Sequence, residues 1–180
     1  MSEKFIPEHI DPFRYAEQTL ALDGYVKVAD MERLRANLSG VDEKVAVSLQ
    51  FGRDEQGLAF IKGHIKANLL LQCQRCMEPY NYEIISDFVV GIVTTLDEAN
   101  ALPEHYEPAL TKEGHLALRE LIEDELILNL PIIPRHEPEQ CKVKLPIAES
   151  GFTSDEEGNP FNVLKTLKNS GEFNHGSTKK

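Results

Sequence analysis

At 180 residues, with 41% hydrophobic and 27% charged side chains, the chain suits one domain of about 100–150 residues plus tails and excludes a pair of full domains. Its net charge of −11 excludes a protein that wraps nucleic acid through its whole surface, because phosphate contacts need clustered Lys and Arg; a basic protein partner suits it better. The opening MSEKFIPEHIDPF lacks the build of a secretory signal, no apolar run approaches the ~18 residues of a membrane helix, and 3 cysteines read as thiols, ligands or core residues, so a cytoplasmic protein is expected.

Residues 1–14 carry Pro7 and Pro12, which favour extended backbone before them, and read as an arm lying on the domain. From Tyr15 to Leu22 the positions alternate up to the turn signal Asp23-Gly24, which predicts a strand. A short helix is expected over 31–38. Met31, Leu34 and Leu38 are spaced i, i+3 and i+7 behind Asp30, an N-cap residue able to accept a bond from the first free amides. Val45, Val47, Leu49 and Phe51 alternate strictly, 52–57 is a polar turn, and 58–71 returns as the second arm of a hairpin. One strand over 58–72 would span roughly 50 Å at about 3.3 Å per residue, so Gly63 is expected to bend or bulge it. The chain then turns through 73–79 and runs back over 80–95, with a second bend expected at Gly91.

An acidic, proline-bearing loop over 97–108 precedes LALRELIEDELILNLP. There Leu118, Leu121, Ile122, Glu125, Leu128 and Asn129 trace one helical stripe, Leu126, Ile127 and Leu130 widen it, and Pro131 ends a largely buried helix near 117–130. Residues 132–141 form a rigid, proline-rich connector, and 146–158 an acidic linker. In NPFNVLKTLK, Asn159 is an N-cap and Pro160 a first helical residue. Phe161, Leu164 and Leu167 then make an apolar face that docks on a partner or on the chain's own domain. Lys165 and Lys168 make this terminal segment locally basic.

Cys73 and Cys76 lie at the hairpin tip in a C-x-x-C spacing. A redox pair wants its first cysteine at a helix N-terminus, where the dipole lowers the thiol pKa, and here both flanks read as strand. A structural Zn²⁺ wants four ligands, and His136 with Cys141, five positions on, are the residues that complete a Cys₃His set. Packed thiols need nothing further and are the default without a second C-x-x-C. No cofactor is therefore expected, with a structural Zn²⁺ on Cys73, Cys76, His136 and Cys141 as the candidate. Glu123, Asp124 and Glu125 sit on a buried-looking helix, where carboxylates are rarely left unpaired; Arg75 is the expected partner of Glu125 or Asp124. Catalysis is not expected: there is no glycine-rich phosphate loop, no G-x-S-x-G and no H-E-x-x-H, and the 6 histidines are scattered.

In order along 10–168, the segments DPFR, LQCQRC, LPEHYEP, LIEDELILNLPIIPRH with its downstream cysteine, and NPFNVLKTLK resemble the YceD family of large ribosomal RNA subunit accumulation proteins. The family's C-x-R-C corresponds to Cys73, Arg75 and Cys76, its acidic-apolar helix to Glu123, Asp124, Glu125 and Leu126, and its proline pair to Pro131 and Pro134. The resemblance implies a non-enzymatic role in large-subunit biogenesis, supporting 23S rRNA accumulation. Some relatives carry further cysteines after the proline pair, which invites a zinc site in them; this chain has Cys141 alone there.

Charge points to a division of labour. The acidic domain is expected to meet a basic large-subunit ribosomal protein or assembly factor, while the tail reaches the same partner or the 23S rRNA precursor. Arg75, Glu123, Asp124, Phe161, Leu164, Leu167, Lys165 and Lys168 are the partner-binding candidates. The reading from another class is a zinc- or thiol-dependent RNA-processing enzyme. The expected architecture is α+β, an antiparallel β-meander of long strands packed on one main helix. It comprises an arm at 1–14, a domain at 15–145, the linker, and a helix with basic tail at 159–180, with flexible termini.

Overall fold

Alternation of apolar and polar side chains decides the sheet. A computed structural model describes residues 4–40 and 43–143; the expected linker, terminal helix and basic tail lie outside them. In chain order the elements are β1 (His9–Ile10), α1 (Pro12–Glu17), β2 (Ala21–Lys27), α2 (Glu32–Arg35), β3 (Lys44–Arg53), β4 (Ala59–Gln72), β5 (Pro79–Val93), α3 (Leu96–Asn100), β6 (Glu107–Leu110), β7 (Leu116–Ala117) and α4 (Leu118–Leu128). β2 to β5 form the expected antiparallel meander, and β6 joins the far end of β5 in parallel, giving the order β2-β3-β4-β5-β6. The class is α+β, as the patterning predicts.

One face of this sheet is dry. Val45, Val47 and Leu49 of β3, Ile61, Ile65 and Leu69 of β4, and Ile84 and Val90 of β5 are all buried, each side chain contributing about 1.5–3 kcal/mol. α4 covers that face with Leu118, Ile122 and Leu126, spaced i, i+4 and i+8 and fully buried. Leu128 does not join the stripe: it is 76% exposed, because two residues beyond Leu126 is the opposite side of a helix.

The strand expected over 15–22 is instead the end of α1, a tight turn and the start of β2. Asp11 caps α1 by accepting from the Arg14 amide at 3.0 Å, and Pro12 occupies the first turn, where its missing N–H costs nothing. Alternation over so few residues does not distinguish the two periods. Residues 5–10 do lie on the domain: the Ile6 amide donates to the Tyr25 carbonyl at 3.1 Å, the Tyr25 amide donates to Lys4 at 2.9 Å, and β1 pairs with β7. Asp23-Gly24 is not a turn but the middle of β2; a Cβ at Gly24 would stand 2.3 Å from the Lys4 carbonyl oxygen, so the glycine admits the arm.

Neither expected bend exists. β3, β4 and β5 pair in unbroken register through Gly63 and Gly91. Gly63 makes room for an aromatic ring, since its Cβ would lie 2.0 Å from Phe88 Cζ. The loop expected over 97–108 contains the start of β6 and most of α3, whose cap Thr95 accepts from the Glu98 amide at 3.2 Å. The helix expected over 31–38 narrows to α2, and Asp30 is not its cap: Met31 holds that position with no side-chain bond.

Candidate metal centre

The long β4–β5 hairpin carries Cys73 and Cys76 at its tip. Leu69, Leu71 and Cys73 follow one another at every second residue on the buried side, so the pleat that fills the core also turns Cys73 inward. Two bonds close the turn, Cys73 N–H to Glu78 O at 3.0 Å and Met77 N–H to Cys73 O at 2.9 Å. Met77 takes φ 62° directly after Cys76, a left-handed conformation that costs a non-glycine residue roughly 1–2 kcal/mol. The tip thus spends backbone strain to bring Cys76 back beside Cys73.

The connector meets this tip after α4. Pro131 ends the helix, and the carbonyl of Pro134 accepts from the Gln74 amide at 2.8 Å. The rings of His136 and Tyr80 lie 5.0 Å apart. A turn on Glu137, whose carbonyl accepts from Gln140 and Cys141 at 3.0 and 3.2 Å, brings the buried Cys141 inward. Lys142 then pairs with Glu78 at 2.8 Å. As a result one donor atom each from Cys73, Cys76, His136 and Cys141 lies within 4.8 Å of all the others. Cys76 Sγ approaches His136 Nδ1 to 3.3 Å.

Backbone amides surround the Cys73 sulfur. The N–H groups of Arg75 and His136 each donate to Sγ at 3.4 Å. Burial pushes this thiol up, but the amides of His136, Cys76 and Arg75 outweigh it and bring the pKa down to about 5. Cys76 moves the other way: the Glu78 amide pulls it down, while burial and the neighbouring Cys73 and Cys141 raise it further. One thiol is prepared as an anion, and another resists ionising beside it. A divalent cation removes that conflict, because a coordinating thiol is deprotonated outright. The donor set also suits Zn²⁺, which takes three thiolates and one imidazole in structural sites with donors ~4 Å apart. The residues fit the ion.

A family model described as "Large ribosomal RNA subunit accumulation protein YceD" matches residues 61–168. A Haemophilus influenzae protein of that description is 37% identical over 172 residues, which cover 93% of this chain and 99% of the relative. This chain belongs to the YceD family. No solved structure matches it. The YceD match begins inside β4 and takes in the tip, α4 and the connector, so all four donor residues lie within it.

The acidic stretch of the YceD helix serves a different contact from the one expected. Asp124 does pair with a base, but the base is Arg33, with Nη1 2.5 Å from Oδ1. Glu123 takes four bonds from α2: Oε1 accepts from the Arg33 and Leu34 amides at 2.8 and 3.0 Å, and Oε2 from Arg33 Nε and Nη2 at 3.1 and 2.9 Å. Those two amides are the ones an N-cap side chain would bond; a carboxylate from another helix does it instead. Glu125 pairs with no base among the described residues, accepting from Ser86 Oγ at 2.6 Å and Asn129 Nδ2 at 2.9 Å. Arg75 has no ion pair among the described residues and stays half-buried on the tip. Sequence patterning missed Arg33, ninety positions from its partner with no periodic link to it, and reading Asp30 as the cap left no vacancy to suggest another. Phe161, Leu164, Lys165, Leu167 and Lys168 lie outside the described residues.

Proposed function

We propose that this chain is a non-enzymatic factor in biogenesis of the large ribosomal subunit, supporting accumulation of its 23S rRNA. The carrying observation is the 37% identity that spans nearly the full length of both this chain and the relative bearing that description. Its charge of −11 favours a basic protein partner, a ribosomal protein or assembly factor, over direct contact with RNA by the domain. No helix among the described residues is long and apolar enough to cross a membrane, and a cytoplasmic site of action accords with the role.

Cys73, Cys76, His136 and Cys141 hold one structural Zn²⁺ that fastens the connector to the hairpin tip. This supports ligation over thiol chemistry, because Cys73, the thiol poised to ionise, is fully buried and an attacking thiolate needs access. Deleting the gene from its host and measuring 23S against 16S rRNA tests the role. A fall in the ratio, restored by the full chain, is the expected result; an unchanged ratio and an unchanged ribosome profile overturn it. Metal analysis of the purified chain tests the centre, with about one zinc per chain expected and its loss expected in Cys76→Ser.

A further inference from the structure

The two long edges of the sheet are treated differently. β2 is met midway by the arm, where Phe5 bridges to Tyr25 and Tyr25 exchanges backbone bonds with Lys4 and Ile6. β5 is less covered: β4 pairs with it on one side through residues 79–91, but β6 covers only 90–93 on the other. Residues 79–89 therefore form an edge with no strand beside it among the described residues, roughly 35 Å long at about 3.3 Å per residue. Every second residue of such an edge points an N–H and a C=O outward.

Open edges invite pairing, and proteins blunt them with lysines, bulges or internal prolines. This one carries no lysine and no arginine, its register is unbroken, and its proline stands at the first position. Its charged residues are Glu83, which pairs with Lys66 of β4 at 2.9 Å, and Asp87, which lies 2.7 Å from His64 Nδ1, with Ile85 between them 55% exposed. Where the open edge ends, a groove of about 440 Å³ is lined by Asp87, Glu104, Glu107 and Glu125 against Lys62 and His105.

We propose that residues 79–89 of β5 accept an extended, basic segment of a protein partner as an added strand. Main-chain bonds supply the affinity and alternate side chains the selectivity: apolar ones pack on Ile85, and cationic ones meet Glu104 and Glu107 of the acidic groove, which have no ion pair among the described residues. A nucleic acid does not fit, since it has no backbone to complete the ladder and its phosphates face this acidic set. A second copy fits poorly as well, because two such edges would set Glu83 and Asp87 against their like. The proposal rests on the assembly-factor reading for the source of the segment, a basic tail of a ribosomal protein or assembly factor.

Hydrogen exchange of the full chain tests it, with a synthetic peptide of alternating Lys and Val as the probe. The peptide is expected to slow exchange at least tenfold for amides within 79–89. The same peptide methylated on alternate backbone nitrogens, or the Ile85→Lys chain, is expected to show no slowing. Equal protection by the methylated peptide, protection at another surface, or slow exchange of this edge before any peptide is added would each overturn the proposal. Complementing the deletion strain with Ile85→Lys separates docking from the ribosomal role. Failure to restore 23S rRNA, by a chain that folds normally, supports docking at this edge; full restoration overturns it and leaves the role standing. If deletion itself leaves 23S rRNA unchanged, the role falls and the exchange result alone decides the docking.

Discussion

Glu123 is a carboxylate at 7% side-chain exposure that answers four N–H donors from α2. Removing it strands two amides and a guanidinium, so Glu123→Ala is expected to cost about 2–4 kcal/mol in urea unfolding at neutral pH. Arg33→Met should cost less, about 1 kcal/mol, because its side chain is 52% exposed and the carboxylate keeps both amides. Equal losses would mean that the ion pair, not the cap, carries the contact. Acid sensitivity follows from the same group. Burial raises the Glu123 pKa, but the Leu34 amide and Arg33 outweigh it, and the net position lies below the usual 4.5. A carboxyl depressed by folding stabilises above its unfolded pKa, and that stability is lost as pH falls through the folded value. The wild-type urea midpoint should therefore fall from about pH 5 toward pH 3, and Glu123→Gln should flatten that part of the curve.

Among the elements, the strands were legible and the short pieces were not. β3, β4 and β5 bury one face apiece, so period-two alternation reported them almost to their ends. β6 buries Ala109 alone of its four residues, and its parallel pairing is invisible to any local period. α1 is six residues long, too short to separate from a strand when Ala16 is buried in either reading. The glycines misled for a physical reason. Gly63 reads as a breaker, yet it sits mid-strand because Phe88, directly opposite in the register, folds its ring over the missing side chain. Gly63→Ala is expected to lose about 1–3 kcal/mol through that collision. Phe88→Leu should restore part of the loss in the double variant, giving a coupling energy in a mutant cycle. Strict additivity would place the ring elsewhere.

For the whole molecule, the four donors were readable from spacing, C-x-x-C in one turn and His-x₄-Cys in the other, but their meeting was not. It depends on the connector after α4 meeting the hairpin tip, where the Gln74 amide donates to the Pro134 carbonyl, a contact no spacing encodes. The expected pairing of Arg75 with the acidic helix failed for the same reason. A metal there would close the loop from Cys73 to Cys141. A cross-link over that length is worth on the order of 4 kcal/mol by loop-closure entropy, so a strong chelator should lower Tm by roughly 10 °C. Exchange should then quicken along 131–143 before it does in α4. An unchanged Tm in a chain shown to have lost its zinc would leave the thiols as packing residues.

The pairing of β1 with β7 also fixes an order of events during synthesis. Ile10 waits for Leu116, and Glu8 O waits for the Leu118 amide, about a hundred residues later. At about 5–20 residues per second that is a delay of roughly 5–20 s. The β3–β4 hairpin can form meanwhile, whereas the arm that meets β2 at Tyr25 is made early and secured late. Until β7 and α4 have been translated, only the local bonds of residues 4–6 with Tyr25 hold the arm to the sheet.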